Sequence, residues 1–317
     1  MWADFVSCEA CRVRAEEPGL ARDDRPRSAA ASRALGSAVS RAVSLAISLL
    51  FFSSLQAQAE PPAQSQSRGQ SREEADRFDA VVLDAGHGGH DEGAKGVSGL
   101  QEKDLVLDVA RRLAERLRGR GVRVVLTRDA DRFLSLEERT AVANDARADL
   151  FLSIHANASR SKTPKGVETY FASLDATDDD ARATAERENE ALGAKPPTFR
   201  RDDPLAAILG DLIETQHLQE SSEFAKLAQL ELSQRDRVPS RGVKQAPFVV
   251  LMGVQMPASL VEIGFLSNPS EEARLRRGRR RDVIAEALAD AVSAFAVRYD
   301  ARRGVAETAA SLQRAAR

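Results

Sequence analysis

Cysteine is nearly absent from this chain: there are two in 317 residues, Cys8 and Cys11. A lone C-x-x-C serves redox chemistry or supplies half of a zinc site, but no further cysteines and no βαβ pattern accompany it here. We read the pair as inert thiols in a leading segment that is removed or not translated. Aromatic residues make up only 5%, so stacking platforms for bases or sugars are scarce. Neither sign of charge dominates, with 46 Lys and Arg against 48 Asp and Glu. Coating nucleic acid needs a basic excess, so that partner class is excluded. Histidine is equally sparse at four, and two of the four, His87 and His90, share one glycine-rich turn in "VVLDAGHGGHDEGAKG".

The apolar run "AVSLAISLLFFSSL" at 42–55 is short for a bilayer span. Arg33 and Arg41 precede it, and Ala57-Gln58-Ala59 follows as an A-x-A cleavage site. This is the layout of a secretory signal peptide over 1–59, with an extended n-region and cleavage after Ala59. A start codon further along, or an uncleaved anchor, are the alternatives. A mature chain from Glu60 holds no cysteine, so it is exported without disulfides and relies on its core. Residues 60–77, "EPPAQSQSRGQSREEADR", read as a flexible linker.

From Phe78 onward, strands and helices alternate. "AVVLDAG", "VRVVLTR", "ADLFLSIHAN", "GVETYF", "PFVVLM" and "SLVEIGF" read as strands. Leu105, Val109, Leu113 and Leu117 line one face of a helix over about 104–119, stopped by Gly119 and Gly121. Ser135 and Glu138 form a capping box for a helix over about 136–147, and a last helix runs over 281–298. The pattern implies an α/β fold: a single mixed sheet flanked by helices on both faces, in a domain spanning 78–298 with a tail at 299–317. Residues 173–240 are too long for a simple connection and read as a helical insertion. It begins acidic, with "DATDDDARATAERENEA", and carries Leu205, Ile208, Leu209, Leu212 and Ile213 at helical spacing. That stripe either docks a partner helix or packs on the domain.

Polar residues where apolar strands end are the chemical candidates. His87 follows the first strand, His155 ends "FLSIHAN", Glu102 precedes the first helix and Glu262 lies inside "SLVEIGF". Taken singly, each histidine also reads as a turn or strand-end residue, and Glu102 as a first-turn acid favoured by the helix dipole. Glu262 is harder to place blandly, because a carboxylate in an apolar strand costs several kcal/mol unless paired. A buried arginine such as Arg128 is one partner for it. A hydrolytic zinc site uses three protein ligands and one open position, and imidazole and carboxylate suit zinc.

"DAGHGG", "EKDLVLDVARRL", "VVLTRDADRFLSLEERTAVAN", "LFLSIHAN", "GVETYF" and "SLVEIGFLSN" occur in this order over 78–298. The chain thereby resembles the zinc-dependent N-acetylmuramoyl-L-alanine amidases of the cell-division (AmiA/AmiB/AmiC) type. The resemblance implies one zinc ion held by His87, Glu102 and His155, with Glu262 as catalytic acid/base and His90 a non-ligand. It implies a periplasmic enzyme that cuts peptidoglycan between N-acetylmuramic acid and L-alanine during septal wall splitting. It also implies that 173–240 is a regulatory insertion covering the site, displaced by a divisome-associated activator protein. Glu186, Glu188 and Glu190 are the carboxylates able to reach the open zinc position; a solvated acidic helix is the alternative. Asp84 and Asn157 flank the histidines and either orient them or serve turns, while Arg128 and Arg139 are support residues or core ion pairs. The basic run "RLRRGRRR" at 274–281 reads as a solvated cluster opening the last helix, with anionic glycan or membrane contact as the other reading. Two other functions compete: a zinc peptidase cutting within the stem peptide, and a non-catalytic wall-binding adaptor. The presence of all four of His87, Glu102, His155 and Glu262 counts against the adaptor.

Overall fold

A computed structural model describes residues 77–191 and 215–304. The signal peptide, its cleavage site, nearly all of the linker, the stripe at 205–213 and the end of the tail lie outside the described residues. Among the described residues, no helix is long and apolar enough to cross a membrane.

The elements run β1 (Ala80–Ala85), α1 (Glu102–Gly119), β2 (Arg123–Leu126), α2 (Leu136–Ala146), β3 (Leu150–Asn157) and β4 (Val167–Ala172). They continue with α3 (Asp179–Ala191), α4 (Thr215–Asp236), β5 (Ser240–Ala246), α5 (Val249–Met252), β6 (Ala258–Phe265), α6 (Pro269–Leu275) and α7 (Gly278–Arg302). The strands form one sheet in the order β2-β1-β3-β6-β4-β5. β2, β1, β3 and β6 are mutually parallel, whereas β4 pairs antiparallel with β6 and parallel with β5.

The central strands are apolar along both faces, as parallel strands covered on both sides must be. Val81 and Leu83 point to a core shared with α1, α4 and α7. Ala80 and Val82 point to a second core shared with α2, α3 and α5. The expected mixed sheet between helical layers is therefore present. Burying each large apolar side chain, such as Phe151 or Phe295, stabilises the fold by about 1.5–3 kcal/mol. The capping box at the start of α2 forms both bonds: Glu138 N donates to Ser135 Oγ and Ser135 N to Glu138 Oε2. Gly121, with φ of 84°, reverses the chain after α1.

Three readings change. "PFVVLM" is not a strand: Val249–Met252 form one helical turn, because short apolar runs do not distinguish helix from strand. The sixth strand is instead Ser240–Ala246, whose partly exposed sequence SRGVKQA hides it. The expected helical insertion also divides by role. Its later part, α4, belongs to the first core: Phe224, Ala225, Ala228 and Leu232 are buried, and Phe224 packs edge-on against Phe295 of α7 at 5.5 Å. Gln229 of α4 accepts from Thr169 Oγ1 and donates to Val167 O, tying the helix to β4. The basic run opens α7 with Arg276, Arg277 and Arg279 exposed, as expected, but it is tied to its surroundings. Arg276 and Arg281 bind Ser98 and Asp108, and Arg280 is a buried partner of Asp236.

Candidate metal centre

Because β1, β3 and β6 are adjacent and parallel, their C-terminal ends share one rim of the sheet. β4 runs the other way and brings its first residues to the same rim. His155 of β3, Glu262 of β6 and Glu168 of β4 consequently lie side by side across three strands. His87 follows β1 in a left-handed conformation, φ 59°, which turns its ring back over the rim.

Glu102 begins α1 and ties three segments together. Its Oε1 accepts from Ala156 N at 2.9 Å and meets His155 Nδ1 at 3.1 Å, and its Oε2 accepts from Ala94 N at 2.8 Å. Two glycines make room for the rings. A Cβ on Gly86 would lie 2.3 Å from His155 Cε1, and one on Gly93 would lie 2.6 Å from His87 Cδ2. Asp91 Oδ2 lies 2.8 Å from His87 Nδ1, so Nε2 faces inward, and a neutral ring bonded to Asp91 through Nδ1–H presents Nε2 as a lone pair.

The fourth group comes from α3. Glu188 Oε2 lies 3.1 Å from His87 Nε2 and 3.0 Å from His155 Nδ1. One donor atom each of His87, Glu102, His155 and Glu188 falls within 4.8 Å of the others, and all four residues are buried. His87 Nε2 and Glu188 Oε2 have no hydrogen-bond partner, although the carboxylate oxygens nearest that nitrogen are only 3.1 and 3.2 Å away. Buried donor atoms that converge without bonding are the arrangement a divalent cation satisfies. The residues fit a metal ion.

Residues 81–294 match the family model described as Amidase_3, N-acetylmuramoyl-L-alanine amidase. The chain belongs to this amidase family. It is 36% identical over 218 residues to N-acetylmuramoyl-L-alanine amidase AmiA of Escherichia coli (strain K12), covering 68% of this chain and 75% of that protein. It is also 36% identical to N-acetylmuramoyl-L-alanine amidase AmiC of Neisseria meningitidis serogroup B, over 69% of this chain but only 53% of that protein, so it spans about half the length of that relative. Among solved structures it is similar to an N-acetylmuramoyl-L-alanine amidase from Clostridium difficile 630, with 28% identity, a TM-score of 0.53, and coverage of 69% of this chain and 97% of that one.

In this amidase domain the electrostatics follow from burial. Burial opposes the charged form of His87, but Glu102, Asp91 and Glu188 outweigh it and raise its pKa. His155 is raised in the same way by Glu188 and Glu102. Burial raises the carboxyls of Glu102 and Glu188, yet the two imidazoles hold both below the usual range. Glu262 goes the other way. Burial, then the neighbouring Glu188, push its carboxyl well above the usual range, and neither of its oxygens has a hydrogen-bond partner.

The structure places the other sequence candidates more selectively. Glu186 and Glu190 are exposed and line an outer groove, so Glu188 alone of the three reaches the cluster. The His90 ring lies over Phe133 at 4.2 Å, away from it. Arg128 is not the partner of Glu262: it donates to the carbonyls of Ala85, Gly86 and Lys103 and braces the loop that carries His87. Asp84 bonds Thr127, Arg139 and Ser153 rather than a histidine, and acts through Arg139, which donates to His87 O. Asn157 likewise serves Glu168 and Arg187, not His155.

Sequence reasoning missed Asp91, Glu168 and Asn189. Glu168 carried a readable signal, a carboxylate inside the apolar strand "GVETYF". Asn189 is buried and bonds Pro247 O and Val249 N at 2.8 and 2.9 Å, fixing α3 onto the domain.

Proposed function

We propose that this domain hydrolyses the amide between N-acetylmuramic acid and L-alanine of peptidoglycan, using zinc, and that α3 holds it inactive through Glu188. The observation that carries this reading is the buried cluster of His87, Glu102 and His155 with Glu188 in the fourth place. Membership of the amidase family supports the substrate bond. Zinc held by His87, Glu102 and His155 supplies Lewis acidity, polarising the scissile carbonyl and acidifying water at the open position.

The chain's own residues do the rest. Asp91 holds His87 in the tautomer that presents Nε2. Glu102 is fixed by Ala94 N and Ala156 N, so its carboxylate does not swing away. Glu262, with both oxygens free of other bonds, takes the proton of the attacking water and passes it to the departing alanine nitrogen. With Glu188 seated against both histidines, the cavity that these three residues line with Asp84, Arg139 and Val250 is about 10 Å³, roughly the minimum for one water. Activity then requires α3 to leave. A divisome-associated activator protein acting on the 173–240 segment would do this, in the periplasm after signal-peptide cleavage, where the enzyme splits septal wall.

The test is mass analysis of fragments released from purified sacculi. Intact stem peptides beginning with L-alanine support the amidase reading. Fragments cut inside the stem would mean a zinc peptidase, and no fragments from any form of the protein would mean an adaptor.

A further inference from the structure

Beside the metal cluster runs a groove of about 760 Å³, lined by Asn157, Glu168, Thr184, Arg187, Arg241 and Phe265 among others. That volume suits a bound peptide segment. Arg241 is a built feature of its wall. Its Nε donates to the buried Glu168, and its guanidinium lies over the Phe265 ring at 5.2 Å. Nη2 reaches outward to Asp180 of α3 at 3.4 Å. Lys244, also buried, lies beside it at 3.3 Å from Glu168 Oε1 and 3.1 Å from Asp178 Oδ2.

Docked α3 supplies two of the three carboxylates that face these cations. Arg241 and Lys244 face one carboxylate of the sheet, Glu168, which also accepts from Tyr170 OH and Asn157 Nδ2. The other two carboxylates, Asp178 and Asp180, lie just before and at the start of α3. Withdrawal of that segment leaves two cations against one anion, with an arginine held by Nε, stacked, and open at its outer edge. Such an arginine takes a carboxylate.

We propose that Arg241 recognises a free carboxylate on the stem peptide, and that Asp180 occupies the place of that carboxylate while α3 is docked. The proposal rests on the amidase reading and adds a specificity residue to it. α3 then copies the bound state twice, with Glu188 at the metal cluster and Asp180 at Arg241.

The spacing is consistent with the chemistry of the substrate. Glu262, Glu168 and Arg241 sit on three neighbouring strands, so Arg241 is two strand spacings, about 10 Å, from Glu262. An extended peptide advances roughly 7 Å over two residues, and a carboxylate and a guanidinium cover the remainder. The group within reach is therefore the α-carboxylate of the second stem residue, D-isoglutamate, and not one further along.

Two soluble muramoyl tripeptides test this, identical except that the second residue is D-isoglutamate or D-isoglutamine, the latter with a carboxamide in place of the carboxylate. Hydrolysis of each is measured with the zinc-loaded full chain, with and without Glu188→Ala, and with Arg241→Gln and Arg241→Lys added to each. The expected result is a preference for the acid of about 10- to 100-fold, expressed in KM, that falls toward one in Arg241→Gln and is partly restored in Arg241→Lys. The ratio is read because Arg241→Gln also loosens Asp180 and changes both rates together. Equal hydrolysis of acid and amide, or a ratio that Arg241→Gln leaves in place, would overturn the proposal while leaving the amidase reading intact. Hydrolysis of neither substrate by any form would overturn both.

Discussion

Glu188 Oε2 on α3 lies 3.1 Å from His87 Nε2, and neither atom has a hydrogen-bond partner. A carboxylate and an imidazole this close, buried and unbonded, are held there by something they share or by the helix that delivers one of them. Removing the carboxylate separates these causes. Glu188→Ala is expected to raise basal hydrolysis of sacculi about tenfold or more, which corresponds to releasing about 1.4 kcal/mol of inhibition. Zinc content stays near one per chain, because three ligands remain. An unchanged rate with full zinc would show that α3 does not limit turnover.

The same inhibition is testable away from the cluster. Asn189→Ala removes two hydrogen bonds that fix α3 to the loop before α5. Each such bond contributes about 0.5–1.5 kcal/mol, so the variant is expected to show several-fold higher basal activity and faster amide exchange in α3. Faster exchange without any gain in activity would separate docking from inhibition.

The roles within the site come apart by metal analysis. Glu262→Gln is expected to keep zinc and lose hydrolysis by about 10²- to 10⁴-fold. His155→Ala is expected to lose zinc and hydrolysis together. Retained turnover in Glu262→Gln would refute its proton-carrying role.

Gly86→Ala tests the packing of the His155 ring. The added Cβ would stand 2.3 Å from His155 Cε1, so the ring must move. Zinc affinity and activity are expected to fall together in a domain that still folds, as read by metal titration and circular dichroism. Wild-type zinc affinity would show that the ring has slack.

Acid stability reports on Asp84 and Arg139, a buried pair 2.7 Å apart. Burial raises the Asp84 carboxyl, but Arg139 and Thr127 outweigh it and lower its pKa below the ordinary value. The pair's contribution is therefore complete above the unfolded pKa, about 3.9, and is lost as pH falls through the lower folded pKa. Asp84→Asn is expected to cost about 3–5 kcal/mol at neutral pH, because Arg139 is left buried and unpaired. Urea unfolding from pH 7 down to 2 should show a shallower acid slope in the variant; identical slopes would contradict the assignment.

Much of the fold was legible because the central strands are buried on both faces and read as apolar runs. β5 was not, since SRGVKQA carries few buried positions and owes its place to pairing with β4. The metal-site candidates were legible as polar residues at the ends of apolar strands, and Glu262 as a carboxylate within one. The choice of Glu188 over Glu186 and Glu190 was not legible. Residues two apart on a helix point in different directions, and only docking decides which one faces inward. For Arg128 and Asp84 the pattern left support and structural roles open without naming the partners they have here. Backbone carbonyls and hydroxyls, which satisfy them here, leave no mark in a sequence pattern.

The most direct measurement is mass analysis of what wild-type protein and Glu188→Ala release from purified sacculis' glycan strands, with and without a zinc chelator. The expected result is intact stem peptides beginning with L-alanine, more of them from Glu188→Ala, and none once chelator is present. Fragments cut inside the stem, or release that chelator does not affect, would contradict a zinc amidase held closed by α3.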